Sequence, residues 1–261
     1  MATSTEQGRE ACAPTDGRRS LSAWLLDSHP GDAAHALSYL APAPQPLLGG
    51  TAGCSLRIRD VIRVVELVPP WVLPPFIQRS VLTRRAAFVC GRICAEQALQ
   101  KFVPTRSVRV GARGEPVWPT GIVGSITHNE HLACAVVSAK TGLVGIGIDS
   151  ETIATSASRR AIEATCCTRA EKEAWTRRAT NALPATLIFS AKEAFYKAIH
   201  PFVGRFVDFD EAEVTDIEWS EGSVTLRAAS ALLLESSPLR VTCRFACSGG
   251  MVHTAVFLES A

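Results

Sequence analysis

The stretch Gly142-Leu143-Val144-Gly145-Ile146-Gly147-Ile148-Asp149 is apolar and rich in branched side chains, the pattern of a strand buried inside a protein. It lies between two segments that follow the same order, helix and then strands. A chain built this way reads as α+β, with two similar-sized halves joined near residues 143–155. The length of 261 residues allows one large domain or two smaller ones. Hydrophobic residues make up 47% and charged residues 20%, which permits a sizeable core and argues against global disorder.

Residues 1–20 read as a disordered leader, 21–145 as the first half and 146–261 as the second. The stretch from Leu21 to Gly53 carries Ser28-His29-Pro30-Gly31-Asp32 and a proline-rich run, so it predicts loops with little regular structure. Leu56 to Glu66 alternates in part and predicts a strand. From Gln78 to Lys101, Leu82, Ala86, Val89 and Ile93 recur at helical spacing, and Pro104 ends that helix. Strand-like pieces follow at 107–119, 121–129 and 132–139. Residues 158–180 predict one or two helices, and 183–199 another that stops at His200-Pro201. Strands are expected again at 205–214, 223–229, 239–247 and 251–259. The sequence has no short-period repeat.

Lys and Arg number 27 against 25 Asp and Glu, a formal charge of +2, so a dedicated nucleic-acid binder is disfavoured. No apolar run reaches the roughly 18–20 residues that cross a bilayer, and the polar N-terminus lacks an apolar signal core. Nine cysteines are an odd number without a disulfide framework or a matched zinc spacing. They read as buried, reduced thiols of a soluble cytoplasmic protein that engages neither membrane nor nucleic acid.

Three elements carry candidate chemistry. Asp149 and Glu151 are two apart on the buried strand, so both project from one face. Two carboxylates side by side repel unless solvated or bridged by a hard divalent cation such as Mg²⁺. On the second element, Leu187, Ala191, Phe195 and Ile199 face a core while Glu193 and Lys197 share the opposite face. Those two could form a plain ion pair worth ~0.3–0.5 kcal/mol. Equally, they could serve as a base or metal ligand and as a cation for phosphate oxygens. The third element is Gly124-Ser125-Ile126-Thr127-His128-Asn129, a small polar segment whose histidine is either structural or a phosphate ligand. Arg84, Arg92 and Arg113 are further basic candidates, each also readable as an ordinary solvated arginine.

Read in order, Arg84 and Arg92, then Arg113-Gly114-Glu115-Pro116, Trp118-Pro119, Gly124 to His128, Gly147-Ile148-Asp149-Ser150-Glu151, and Phe189-Ser190 with Lys192-Glu193-Ala194 and Lys197 form one pattern. It resembles the phosphopantetheinyl transferase superfamily, in its larger, single-chain, pseudo-dimeric type, the surfactin and enterobactin synthetase activating enzymes. Arg84-Arg85, Phe88, Gly91-Arg92, Ala95 and Ala98-Leu99 match the pattern RRxxFxxGRxxAxxAL of the enterobactin component D branch. The resemblance covers about residues 75–210.

That resemblance implies two related α+β subdomains in a pseudo-twofold arrangement, with the active site in the cleft between them. It implies transfer of the phosphopantetheine arm of coenzyme A to a serine of an apo acyl or peptidyl carrier protein, with release of adenosine 3′,5′-bisphosphate, by a monomer. Asp149, Glu151 and Glu193 would hold Mg²⁺, Glu193 would be the base, and Lys197 would stabilise the pyrophosphate. Coenzyme A would meet Arg84, Arg92, Arg113, Thr127, His128, Asp149 and Lys197. Phe189 stands where much of the family has Trp, Ser150 fills the middle of the Asp-x-Glu motif, and Arg113 replaces a common Lys. Three other readings are a silent binding relative, a different magnesium phosphotransferase, and a thiolate-metal regulator. All three acids and Lys197 are present, no phosphate-cradling loop of the GxxxxGKS kind occurs, and no zinc spacing is complete.

Overall fold

The computed structural model describes residues 21–104, 107–229 and 239–259. The expected leader at 1–20 lies outside the described residues. The described chain opens with two helices, α1 (Leu21–Ser28) and α2 (Pro30–Ser38). Next come β1 (Ala41–Pro42), β2 (Thr51–Arg57) and the helices α3 (Ile58–Glu66), α4 (Pro75–Gln78) and α5 (Leu82–Leu99). Then follow β3 (Arg109–Val110), β4 (Pro116–Val117), β5 (Ile122–His128), β6 (Leu132–Ala139) and β7 (Leu143–Thr152). The remainder is α6 (Ser156–Thr165), α7 (Arg169–Glu171), α8 (Leu183–Val203), β8 (Ala212–Glu218), β9 (Ser223–Ala228), β10 (Leu239–Ser248) and β11 (Met251–Glu259). The mixture of helix and antiparallel sheet is the α+β class expected from the sequence.

Two antiparallel sheets organise these elements. One has the order β1-β2-β6-β5 and the other β7-β11-β10-β9-β8, with β3 and β4 as a separate hairpin. In each sheet the first long strand, β2 or β7, pairs with the last, β6 or β11. Helix α5 packs across β2 and β6, and α8 packs across β7 and β11. Each repeat therefore begins with a strand, not with its helix. Between the sheets, Val123, Cys134 and Val136 pack against Ile146, Ile148 and Ala255. This apolar layer joins the edges where β5 approaches β7.

Several local expectations need correction. Residues 21–38 are helical, with Ala33 and Ala36 buried. A buried Glu96 on α5 accepts the backbone N–H groups of Leu21 and Ser22, each at 2.8 Å, and so caps the start of α1. The stretch 58–66 is a helix: Ile58, Val61, Val64 and Val65 are buried at helical spacing, which outweighs partial alternation. Helix α8 runs past Pro201, which sits in its last turn, and stops at Gly204 in the left-handed region (φ 64°). Strand β8 begins only at Ala212, because Asp208 and Glu211 form a reciprocal capping box over the preceding turn. Of the eight described cysteines, all free, Cys54 is half-buried and Cys247 exposed; the other six are buried thiols as expected.

Glycines position the site. A Cβ on Gly147 would stand 1.8 Å from the carbonyl oxygen of Ala194, and one on Gly145 2.6 Å from that of Ala198. The absence of these side chains lets α8 lie directly on β7. The core face of α8 is as expected: Leu187, Ala191, Phe195 and Ile199 are at most 1% exposed.

Candidate active site

Close contact of α8 with β7 brings Lys197 onto Asp149. The Lys197 Nζ donates to Asp149 Oδ1 at 2.7 Å and to the Ile148 carbonyl at 3.1 Å. Thr127 on β5 donates to the same Oδ1 at 3.1 Å, and Ser190 on α8 donates to Oδ2 at 2.8 Å. Asp149 is 3% exposed, so it is not the solvated acid of a strand end. Nor do Glu193 and Lys197 form the plain ion pair: among the described residues, Lys197 has its salt bridge to Asp149. Ser190 was not anticipated. It lies seven residues, two helical turns, before Lys197, so the two share a face and grip both oxygens of one carboxylate.

Glu151 and Glu193 complete an acidic side. Both are half-buried, and no hydrogen bond reaches either side chain among the described residues. Burial, with Asp149 and then Glu193 nearby, pushes the Glu151 carboxyl up to about 7 despite the opposing Lys197. Burial and Asp149 likewise raise Glu193, again against Lys197. Glu151 and Glu193 thus both sense Asp149. Among the described residues they do not make a closed metal cluster, since Asp149 is occupied by Lys197, Thr127 and Ser190.

The basic side is less uniform than its sequence suggested. His128 lies where a Cβ on Gly91 of α5 would come 3.9 Å from its ring. Burial, then Arg84 and Lys197, lower its pKa to about 4, so it is a neutral donor or acceptor at neutral pH. Arg84 is exposed. Arg113 is exposed and donates across to the Gly204 carbonyl at 2.9 Å, linking the turn between β3 and β4 to the end of α8. Arg92 departs from the expectation of an open phosphate ligand. It is buried, donates to the carbonyls of Val108, Arg109 and Gly114, and stacks 5.1 Å from the Phe88 ring centre. Desolvation lowers it to about 10. Its fork holds the β3–β4 hairpin, and with it Arg113.

Two further groups lay beyond sequence reasoning. Lys192, beside Glu193, is buried and donates to Glu171 at 2.8 Å and to the carbonyls of Cys166 and Phe209. Its charge therefore ties α8 to α7 and to the turn before β8. Ser150 points away from the acids: it contacts Gln45 at 2.8 Å and His253 at 3.0 Å on the reverse face of β7.

This arrangement places a pair-forming lysine, a buried carboxylate and two raised carboxylates beside neutral and cationic groups, as anionic phosphate chemistry needs. Comparisons with known proteins agree. Residues 74–138 match the model of the 4′-phosphopantetheinyl transferase N-terminal domain, and residues 145–246 that of the 4′-phosphopantetheinyl transferase superfamily. The chain is 34% identical over 209 residues to 4′-phosphopantetheinyl transferase PptT of Mycobacterium tuberculosis, across 73% of this chain and 88% of that protein. It is 38% identical over 149 residues to 4′-phosphopantetheinyl transferase Npt of Nocardia iowensis, across 56% of this chain and 65% of the relative. To enterobactin synthase component D of Escherichia coli it is 35% identical over 123 residues, 47% of this chain and 58% of the relative. The chain spans less than two thirds of the last two. The fold, the converging site and these matches together place the chain in the 4′-phosphopantetheinyl transferase superfamily.

Proposed function

We propose that this enzyme transfers the 4′-phosphopantetheine arm of coenzyme A to a serine hydroxyl of an apo acyl or peptidyl carrier protein, releasing adenosine 3′,5′-bisphosphate. Relatives named 4′-phosphopantetheinyl transferase support the reaction, and those named enterobactin synthase component D support a carrier of siderophore assembly as one candidate. The observation that carries the reading is the ion pair between Lys197 and buried Asp149, with Glu151 and Glu193 raised beside it.

The donor set fits a hard divalent ion: all its ligands are carboxylate oxygens, and those of half-buried Glu151 and Glu193 accept no hydrogen bond among the described residues. Asp149, Glu151 and Glu193 would hold Mg²⁺, which when bound would neutralise charge on the pyrophosphate of coenzyme A. Glu193, with no competing side-chain hydrogen bond, takes the proton from the serine hydroxyl. The Lys197 ammonium, 26% exposed, turns toward the pyrophosphate and stabilises the leaving bisphosphate. Arg84 and Arg113 supply charge for the adenine end and its 3′-phosphate, while neutral His128 and Thr127 supply hydrogen bonds. Arg92 acts indirectly, by holding the hairpin that carries Arg113. The two halves, 21–145 and 146–261, would flank coenzyme A in a cleft, and the enzyme would act as a monomer in the cytoplasm, a setting the free thiols suit.

The test is to mix the enzyme with several apo carrier proteins, coenzyme A and Mg²⁺ and to weigh the carriers intact. A gain of one phosphopantetheine arm on at least one carrier is expected. No gain on any of them would overturn the proposal.

A further inference from the structure

The reverse face of β7 carries a chain of hydrogen bonds with a single consistent direction. Cys134 donates from its thiol to Gln45 Oε1 at 3.0 Å. The amide of Gln45 is thereby oriented, and its Nε2 donates to Ser150 Oγ at 2.8 Å. Having accepted that bond, Ser150 has its own hydrogen free for His253 Nδ1 at 3.0 Å. The ring must then carry its hydrogen on Nε2, which faces Ser248 Oγ at 3.0 Å. Gln45, Ser150, His253 and Cys134 are at most 4% exposed, so the three bonds among them are made away from water, while the last one opens to the surface at Ser248. Asn129 adds a bond to the Ser150 carbonyl at 3.0 Å.

Ser150 is the residue between Asp149 and Glu151. In a strand it must face away from both, and slipping the strand by one position would exchange the two faces. The ladder with β11 fixes that register within the second sheet; between the sheets, Ser125 and Thr127 bond to β7, while the apolar layer is non-directional and by itself tolerates small slides. The hydrogen-bonded chain does not, because any slide leaves a buried hydroxyl or amide unpaired. Its anchor is remote: Gln45 lies between β1 and β2 of the other sheet, while His253 is the direct cross-strand partner of Ser150 on β11.

We propose that Gln45 is a positioning residue for the candidate cation site: through Ser150 it fixes the placement of β7 at which Asp149 and Glu151 face α8. This rests on the reading of those two acids as cation ligands.

The test is Mn²⁺ binding to the free full-length enzyme, followed by electron paramagnetic resonance well below the melting temperature, with no substrate present. Gln45→Met and Ser150→Ala should each weaken Mn²⁺ binding roughly ten-fold, the low end for groups that orient metal ligands. The double variant should be no worse than the weaker-binding single one, because both cut the same chain. Amide hydrogen exchange across residues 149–151 should quicken in each. If both variants melt earlier yet bind Mn²⁺ within about two-fold of the parent, the link is merely structural and the proposal fails. Ser150→Ala removes a single oxygen and decides the matter should Gln45→Met not fold. Glu151→Gln separates the two readings. If it binds Mn²⁺ like the parent, the cation reading itself is wrong; if it loses Mn²⁺ while Gln45→Met keeps it, only the positioning role is wrong.

Discussion

At the scale of the residue, the site is a set of carboxylates with unequal tasks. Asp149 is held by three donors and is the fixed point, while Glu151 and Glu193 keep their oxygens available. Glu193→Ala should lower turnover by about 10²–10⁴-fold, the range for a lost general base; unchanged carrier-loading rates would remove Glu193 from the chemistry. Glu151 and His128 respond to pH in opposite senses. The folded protein binds an extra proton at Glu151 between its ordinary value of 4.5 and about 7, so without a cation the fold loses stability as pH rises through that window. Glu151→Gln should therefore raise the melting temperature more at pH 8 than at pH 5, while abolishing activity. His128 is held neutral, so the unfolded chain takes up a proton that the folded one refuses between 6.5 and about 4. That stability is lost as pH falls, and His128→Gln should flatten the acid side of a melting-temperature profile.

At the scale of the element, the decisive event is the seating of α8 on β7. Gly147→Ala would put a methyl group 1.8 Å from a backbone oxygen of α8, which cannot swing aside as a side chain can. A loss of roughly 1–3 kcal/mol or more in urea unfolding is expected, together with a fall in carrier loading, since the displaced helix carries Glu193 and Lys197. Gly31→Ala in α2 meets nothing within 4 Å and should be neutral or stabilising by up to ~0.5–1 kcal/mol. Equal effects of the two would refute the steric account. The other face of α8 is secured by Lys192 and Glu171, whose side chains are 2% and 0% exposed. Lys192→Met would leave the buried Glu171 charge without its cation, with only the backbone N–H groups of Thr168 and Val214 donating to it among the described residues, and should cost about 3 kcal/mol.

At the scale of the whole molecule, the two sheets share an apolar layer. Val123, Cys134 and Val136 from one and Ile146, Ile148 and Ala255 from the other would all be exposed if the sheets parted. Thr127 and Ser125 of β5 also bond to β7, the latter accepting the Ile148 N–H at 3.1 Å. The halves should therefore unfold together. A single calorimetric transition with equal calorimetric and van't Hoff enthalpies is expected, and two resolved transitions would show that the sheets are independent.

Much of this was legible in one dimension. Alternation along residues 146–151 puts Asp149 and Glu151 on one face, and helical spacing separates the core side of α8 from Glu193 and Lys197, because both patterns are set by local backbone geometry. Local patterning also misled: the partial alternation of 56–66 suggested a strand, whereas packing against α5 uses the helical face of 58–66. Beyond reach were the facts that depend on which distant segments touch. Lys197 pairs with Asp149 and not Glu193, Arg92 is spent on three carbonyls, and Ser150 is gripped by a glutamine 105 residues away. The sequence alone determined which charges exist and which face of its element each occupies. Only the tertiary structure decided their partners, because those follow from how closely remote backbones approach, here governed by the missing side chains at Gly145 and Gly147.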